Sequence, residues 1–350
     1  MFSILDILKK HREEKKRLAG QPETPVLPAG VSFQSVSDTR KDQISIFTAV
    51  NKEMVEENMR LVSGLYDESL ALARRVYSPK GPDAGAVKDE LDPFLARVTG
   101  TLAKGERESL QFILSDYPDI KEYLIYHVVN VCLLSVELGL ELKLEAPALA
   151  ELAKAAFLHD IGIAQFADLI AKPSKLSAEE IAMIRTHPKA GRDLIDRICK
   201  DSPHAITDTI LQEHERQDGS GYPKGLKEND ICEPAQIVAV ADVYEALIHS
   251  RPYRQRSVPS AALTAILDSK SAFSSRVIKA LIERVGIYPV GTRVKLNTKE
   301  TGVVVQVNAF SPLRPVVSVI QDAQGLELKT PKEINLYKNY LVHIEENLGK

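Results

Sequence analysis

Apolar positions recur at helical spacing over most of the chain and turn to β-type runs only near its end. Within 45–76, Leu61, Leu65, Leu72 and Val76 stand near a 3.6-residue period, which predicts one long helix. The run Ser78-Pro79-Lys80-Gly81-Pro82 ends it. Residues 86–116 read as one or two further helices, and from about 118 to 285 the pattern is strongly helical. His127, Val131, Leu134 and Leu138 fall at i, i+4, i+7 and i+11, so His127 shares a face with core residues. Ser177-Ala178-Glu179-Glu180 has the form of a capping box. The helix it opens is expected to end near His187, because Pro188 biases the residue before it away from helical conformation. Ala235 to Ile248 is another apolar-rich helix and contains Asp242. Beyond Gly286 the β-branched runs Val303-Val304-Val305 and Val316-Val317-Ser318-Val319-Ile320 read as strands, with Ala323-Gln324-Gly325 as a hairpin turn.

The first 44 residues differ. Residues 2–18 read as a short amphipathic helix with Phe2, Leu5 and Leu8 on one side, and Pro22, Pro25 and Pro28 mark a linker. The expected organisation is a helix and Pro-rich linker over 1–44, a helical region over 45–117, a helical functional domain over 118–285 and a small β-rich module over 286–350. The fold class is mainly α.

Composition narrows the function. Of 350 residues, 44% are hydrophobic and 27% charged, with a net charge of -3. That balance supports a folded core and excludes the broad basic field of a nucleic-acid polymer binder. Three separated cysteines, Cys132, Cys199 and Cys232, exclude a disulfide scaffold and a Cys-type zinc ribbon. No apolar run reaches the length expected of a membrane span, and the N-terminal order of apolar before basic residues is wrong for a signal peptide. A cytoplasmic protein is expected.

Only eight histidines are present, and four of them follow a pattern. His127, His159-Asp160, His187, Glu213-His214 and Asp242 recur at intervals of 32, 28, 27 and 28 residues, each about one helix plus its connection. A helical bundle can bring such residues to one centre. Imidazole with carboxylate suits iron, manganese, zinc or nickel better than calcium. Alone, each residue has a plain structural reading: a core histidine, a cap, a solvated carboxylate. Their fixed order, with the loop HERQDGSGYPKGL at 214–226 directly following, carries the functional reading. His11, His204, His249 and His343 stand outside the pattern and read as ordinary.

His159-Asp160-Ile161-Gly162, His187-Pro188-Lys189-Ala190-Gly191, the 214–226 loop, ADVYEAL at 241–247 and SRPYR at 250–254 together resemble the HD-GYP domain, a branch of the HD phosphohydrolases. The resemblance covers roughly 60–285, and GIYPVGTRVKL at 286–296 resembles the C-terminal extension of many such proteins. It implies an HD-type helical bundle that hydrolyses cyclic di-GMP, to pGpG and onward to GMP, at two or three metals. His127, His159 and Asp242 would hold the first metal, Asp160 would bridge, and His187, Glu213 and His214 would hold the second. His159 and Asp160 would stand at the catalytic centre. Arg251 and Arg254 match phosphate-contacting positions, and Gly221, Tyr222 and Pro223 form the loop beside the site. Two such metals, about 3.5–4 Å apart, activate a bridging hydroxide for in-line attack on phosphorus. The expected cofactors are two divalent transition metals, iron or manganese ahead of zinc or nickel. Residues 1–110 are the expected place for a protein partner, and a homodimer is compatible with the reading.

Three departures bear on this. Glu213 stands where the family usually has His. Ile163 stands where it usually has Lys, so one electrostatic contact to phosphate is missing; at about 3 kcal/mol its loss slows the reaction roughly 100–200-fold. Tyr123 stands where some members carry a third-metal Glu, which favours two metals. The alternative reading is a weak or inactive relative acting as a cyclic dinucleotide sensor or interaction scaffold. A hydrolase of another nucleotide is a further reading, and the GYP loop argues against it.

Overall fold

The computed structural model describes residues 39–104, 109–170, 172, 176–250, 256–308 and 311–349. The chain divides into two compact units, Met1–Leu61 and Val62–Lys350. Of the first, only the helical backbone from Thr39 and the side chains of the last few residues are described; the amphipathic helix and linker read over 2–28 lie outside the described residues.

Helix α1, Thr39–Val76, is the long helix that the periodicity predicts. Leu65, Leu72 and Val76 are buried, whereas Leu61 is 54% exposed. A π-helical turn, Ala86–Glu90, runs into α2, Leu91–Leu102, and α3 is the short Ser109–Ile113. The centre of the second unit is α4, Tyr123–Glu141. With the preceding turn, the segment Ile120–Glu141 is long and apolar enough to cross a membrane, but 83% of its apolar stretch is buried within the fold. A helix apolar on every side is a core helix when other elements enclose it. Those elements are α5, Ala146–Leu158, α10, Glu233–Ile248, and α12, Ser275–Val285, each packed on α4.

Between α5 and α10 lie a 3-10 segment, Ile161–Phe166, and the helices α6 (Ala167–Ile170), α7 (Ala178–Ile184), α8 (His187–Ile198) and α9 (His204–Gln212). The capping box of α7 forms: Ser177 Oγ accepts from Glu180 N and the Glu180 carboxylate accepts from Ser177 N. The boundary after it differs from expectation. The helix stops at Ile184 and Pro188 lies in the first turn of a new helix that begins at His187. Proline fits there because its missing N–H is one that a helix start leaves unbonded anyway. Helix α11 spans Pro259–Asp268.

The C-terminal module is one antiparallel sheet of five strands in the order β4-β3-β2-β1-β5. The strands are β1 (Arg293–Leu296), β2 (Thr301–Gln306), β3 (Val316–Gln321), β4 (Glu327–Asn335) and β5 (Ile344–Gly349). Val294, Leu296, Val304, Val317, Val319, Ile334 and Ile344 form its own small core. Gly325, at φ 84°, sits in the β3–β4 turn, a conformation that glycine adopts without strain.

Candidate metal centre

Five of the seven predicted ligands sit at helix ends rather than inside helices. His159 is the C-cap of α5 and Asp160 follows it; His187 opens α8; Glu213 is the C-cap of α9 and His214 follows it. His127 and Asp242 lie within α4 and α10. One glycine makes the convergence possible. A Cβ on Gly162 would collide with the His187 carbonyl oxygen and lie 2.5 Å from Gly191 N, so the turn after Asp160 can press against the start of α8 only without a side chain.

The ligand atoms form two groups, His127, His159 and Asp242 in one and Asp160, His187, Glu213 and His214 in the other, each within 4.8 Å. Asp160 faces both. Its Oδ2 lies 3.4 Å from His159 Nε2 and 3.6 Å from His127 Nε2, while Oδ1 lies 3.2 Å from His187 Nε2. Asp242 Oδ1 is 3.2 Å from His127 Nε2. Glu213 is fully buried, its Oε1 3.4 Å from His187 Nε2 and its Oε2 3.8 Å from His159 Nε2.

The imidazoles are aimed. His159 Nδ1 donates to Ala156 O and His187 Nδ1 to Ile184 O, both at 2.8 Å, which turns each Nε2 inward. Burial opposes a charge on His159, yet the Glu213 and Asp160 carboxylates outweigh it and lift its pKa to about 9. His187 is likewise lifted to about 10, the nearby Asp160 and Glu213 carboxylates overcoming burial. His214 is pushed down by burial. For Asp160, burial alone would raise the pKa, but His159 and His187 hold it well below the carboxylate range.

This set fits divalent cations. His159 Nε2 and both Glu213 oxygens are buried without a hydrogen-bond partner. Buried polar atoms left this way are costly unless a cation takes the place of the missing donors. His214 Nε2 lies 3.2 Å from His187 Nε2, an approach of two ring nitrogens that a shared positive centre accommodates.

The loop after His214 is fastened to the site. Tyr222 stacks on the His214 ring at 4.8 Å and its N–H donates to His214 O at 3.1 Å. Gly221 passes so close to Glu215 Cα that a Cβ would lie 2.5 Å from it. Arg251 and Arg254 lie outside the described residues.

Four contributors escape the spacing pattern. Glu245, fully buried, bonds His127 Nδ1. Its place three residues after Asp242 puts it on the same face of α10, the one available signal. His249, read as ordinary, is 2% exposed and bonds Glu245 and Ser115 O. Glu215 accepts from Lys224 N at 2.6 Å and Leu226 N at 2.9 Å, closing the 214–226 loop. Arg185 places its guanidinium 5.1 Å from the Tyr222 ring centroid. Glu122, beside Tyr123, is held away from the centre by a 2.7 Å ion pair with Arg74.

Residues 111–274 match the sequence model of the HD domain, and 293–348 that of the KOW domain associated with HD domain. The cyclic di-GMP phosphodiesterase PA4108 of Pseudomonas aeruginosa is 36% identical over 215 residues, which are 61% of this chain and 51% of that protein. The 3'3'-cGAMP-specific phosphodiesterase 1 of Vibrio cholerae is 32% identical over 164 residues, 46% of this chain and 37% of that protein. The chain therefore spans about half the length of the first of these relatives and less of the second. Among solved structures, Bd1817, an HDG"Y"P protein from Bdellovibrio bacteriovorus, matches with a TM-score of 0.52 at 18% identity, covering 69% of this chain and 79% of that one, a likeness of fold. The resemblance drawn from the motifs is borne out by these matches.

Proposed function

For a chain whose residues 111–274 match the HD domain, we propose the activity of an HD-GYP phosphodiesterase: metal-dependent hydrolysis of a cyclic dinucleotide, cyclic di-GMP first, to linear pGpG and onward to GMP. The observation that carries it is the pair of buried ligand groups that Asp160 faces with its two oxygens, containing three polar atoms without partners. His127, His159 and Asp242 would hold one cation and His187, Glu213 and His214 the other, with Asp160 facing both groups. The donor set of imidazole and carboxylate suits iron, manganese, zinc or nickel, of which iron and manganese are tested first. Bound divalent cations supply Lewis acidity toward a phosphoryl oxygen and activate water.

The chain's own residues do the rest. Three carboxylates, Asp160, Glu213 and Asp242, are outweighed by two divalent cations, so the loaded site attracts an anionic phosphodiester. The backbone bonds of His159 and His187 keep both rings in the ligating orientation as charge moves. Tyr222, stacked on His214, walls one side of the site against water, and Arg185, beside the Tyr222 ring, adds positive charge at its rim. Anaerobic reconstitution with Fe(II) or Mn(II), followed by chromatography of the products from cyclic di-GMP and 3'3'-cGAMP, tests the proposal. A linear product supports it. Fully metallated protein that turns over no cyclic dinucleotide refutes it.

A second reading, a slow relative acting as a sensor, rests on Ile163 and Glu213. Ile163 lies in the 3-10 turn directly after the bridging carboxylate and offers no cation there. On this reading Ile163→Lys with Glu213→His raises turnover sharply, and unchanged turnover sinks it.

A further inference from the structure

We propose that Glu245 is the positioning residue of the first metal position, fixing His127 so that Nε2 presents its lone pair to the centre. The inference rests on the two-metal reading above and adds what makes the two positions unequal.

Glu245 is fully buried and stands at the junction of four polar groups. Oε2 accepts from His127 Nδ1, and Oε1 accepts from the Tyr117 hydroxyl. Asn130 Nδ2 donates to Oε1 at 3.2 Å, and His249 Nδ1 lies 2.9 Å from the same oxygen. Each partner is oriented in turn. Tyr66 Oη donates to Asn130 Oδ1 at 2.9 Å, which fixes the amide with its NH2 toward Glu245. His249 Nε2 donates to Ser115 O at 2.9 Å, and its ring stacks on Tyr117 at 4.3 Å. Both His249 nitrogens face acceptors, an arrangement that favours its protonated form beside Glu245.

Two consequences follow. An ionised carboxylate only accepts, so His127 Nδ1 carries the proton and Nε2, 3.2 Å from Asp242 Oδ1, is the ligating nitrogen. The two groups also differ. In the second group His187 is backed by a neutral backbone carbonyl, and so is His159 in the first, whereas the first group also holds His127, backed by a carboxylate that makes its imidazole the more basic donor. The first position therefore depends on Glu245 and the second does not.

The test is Mn(II) titration of the metal-stripped full-length protein, with free Mn(II) followed by its electron paramagnetic resonance signal. The wild type binds two ions. Glu245→Gln keeps the shape, removes the charge, and weakens one of the two by about 10–100-fold while leaving the other unchanged. In a His127→Ala background the same substitution changes nothing further, a result that general loosening of the core would not produce. Should Glu245→Gln fail to fold, Tyr117→Phe removes one hydrogen bond to Oε1 and is expected to weaken the same ion by about 3–10-fold. Wild-type binding of two ions, with both variants matching it at both positions, overturns the inference alone. Wild-type binding of fewer than two ions overturns the two-metal reading and the inference with it.

Discussion

Gly162→Ala should disable the centre without touching a ligand. The added methyl would collide with the His187 carbonyl oxygen and lie 2.5 Å from Gly191 N and 3.0 Å from Gly191 Cα. All three atoms are backbone of α8, so no rotamer change relieves the clash. The turn and the start of α8 must separate by about 0.5–1 Å, and overpacking of this kind costs about 1–3 kcal/mol. The same movement carries His187 away from Asp160, whose Oδ1 is 3.2 Å from Nε2. Misplacement of a reacting group by 1 Å costs about 100-fold in rate, so a loss of about 10–100-fold is expected. Melting should fall by about 2–4 °C for each kcal/mol. Hydrolysis of cyclic di-GMP at saturating Mn(II), Mn(II) affinity and calorimetric melting are measured together. Gly64→Ala and Gly100→Ala are the controls: both glycines lie in helices, α1 and α2, with nothing within 4 Å of an added Cβ. Each should gain about 0.5–1 kcal/mol. A Gly162→Ala protein that melts with the wild type and keeps both its Mn(II) affinity and its rate would refute the reasoning.

Other outcomes follow from the same contacts. Glu215→Ala removes the acceptor of the Lys224 and Leu226 N–H groups, each such charged hydrogen bond worth about 1.5–3 kcal/mol. Amide exchange over 218–227 should accelerate at least tenfold with both metals still bound; unchanged protection would count against Glu215 as the fastening of the loop. Arg284→Met withdraws the guanidinium that pairs with the buried Glu137 of α4 and should cost about 3–5 kcal/mol in denaturant unfolding. Its Mn(II) affinity should stay unchanged, and a loss smaller than 1 kcal/mol would show that the pair is not held as described. Chelation should lower the melting temperature, because an ion present at 1,000 times its Kd stabilises the folded state by about 4.1 kcal/mol. Melting that is identical with and without Mn(II) would mean that the unpartnered Glu213 oxygens take no cation.

The convergence of the seven candidate ligands is legible because their order and spacing survive in one dimension, but their setting is not. Even intervals suggested one ligand from each helix, whereas five of the seven occupy helix ends. Pro188 was readable as a boundary signal, yet whether it closes one helix or opens the next depends on the packing of α8 against the turn at Gly162. The β-branched runs marked β2 and β3, but the seating of β5 beside β1 is a matter of tertiary register that no local pattern encodes. Glu245 was harder still: a single carboxylate in a helix carries no signal until its partner, 118 residues earlier, is placed against it. His249 likewise stands outside the ligand groups, and its place beside Glu245 has no local signal because its partner Ser115 is 134 residues away. These cases share one cause. A residue inside a helix has its face set by periodicity, but its ring is turned by a partner from another helix, as Glu245 turns His127. A ligand at a helix end is aimed by whatever packs on that end, here Gly162 against His187 and backbone carbonyls against His159 and His187. It follows that the positions most sensitive to substitution include residues with no ligating atom, and that Gly162 and Glu245 belong beside the seven candidate ligands in any account of how the centre is built.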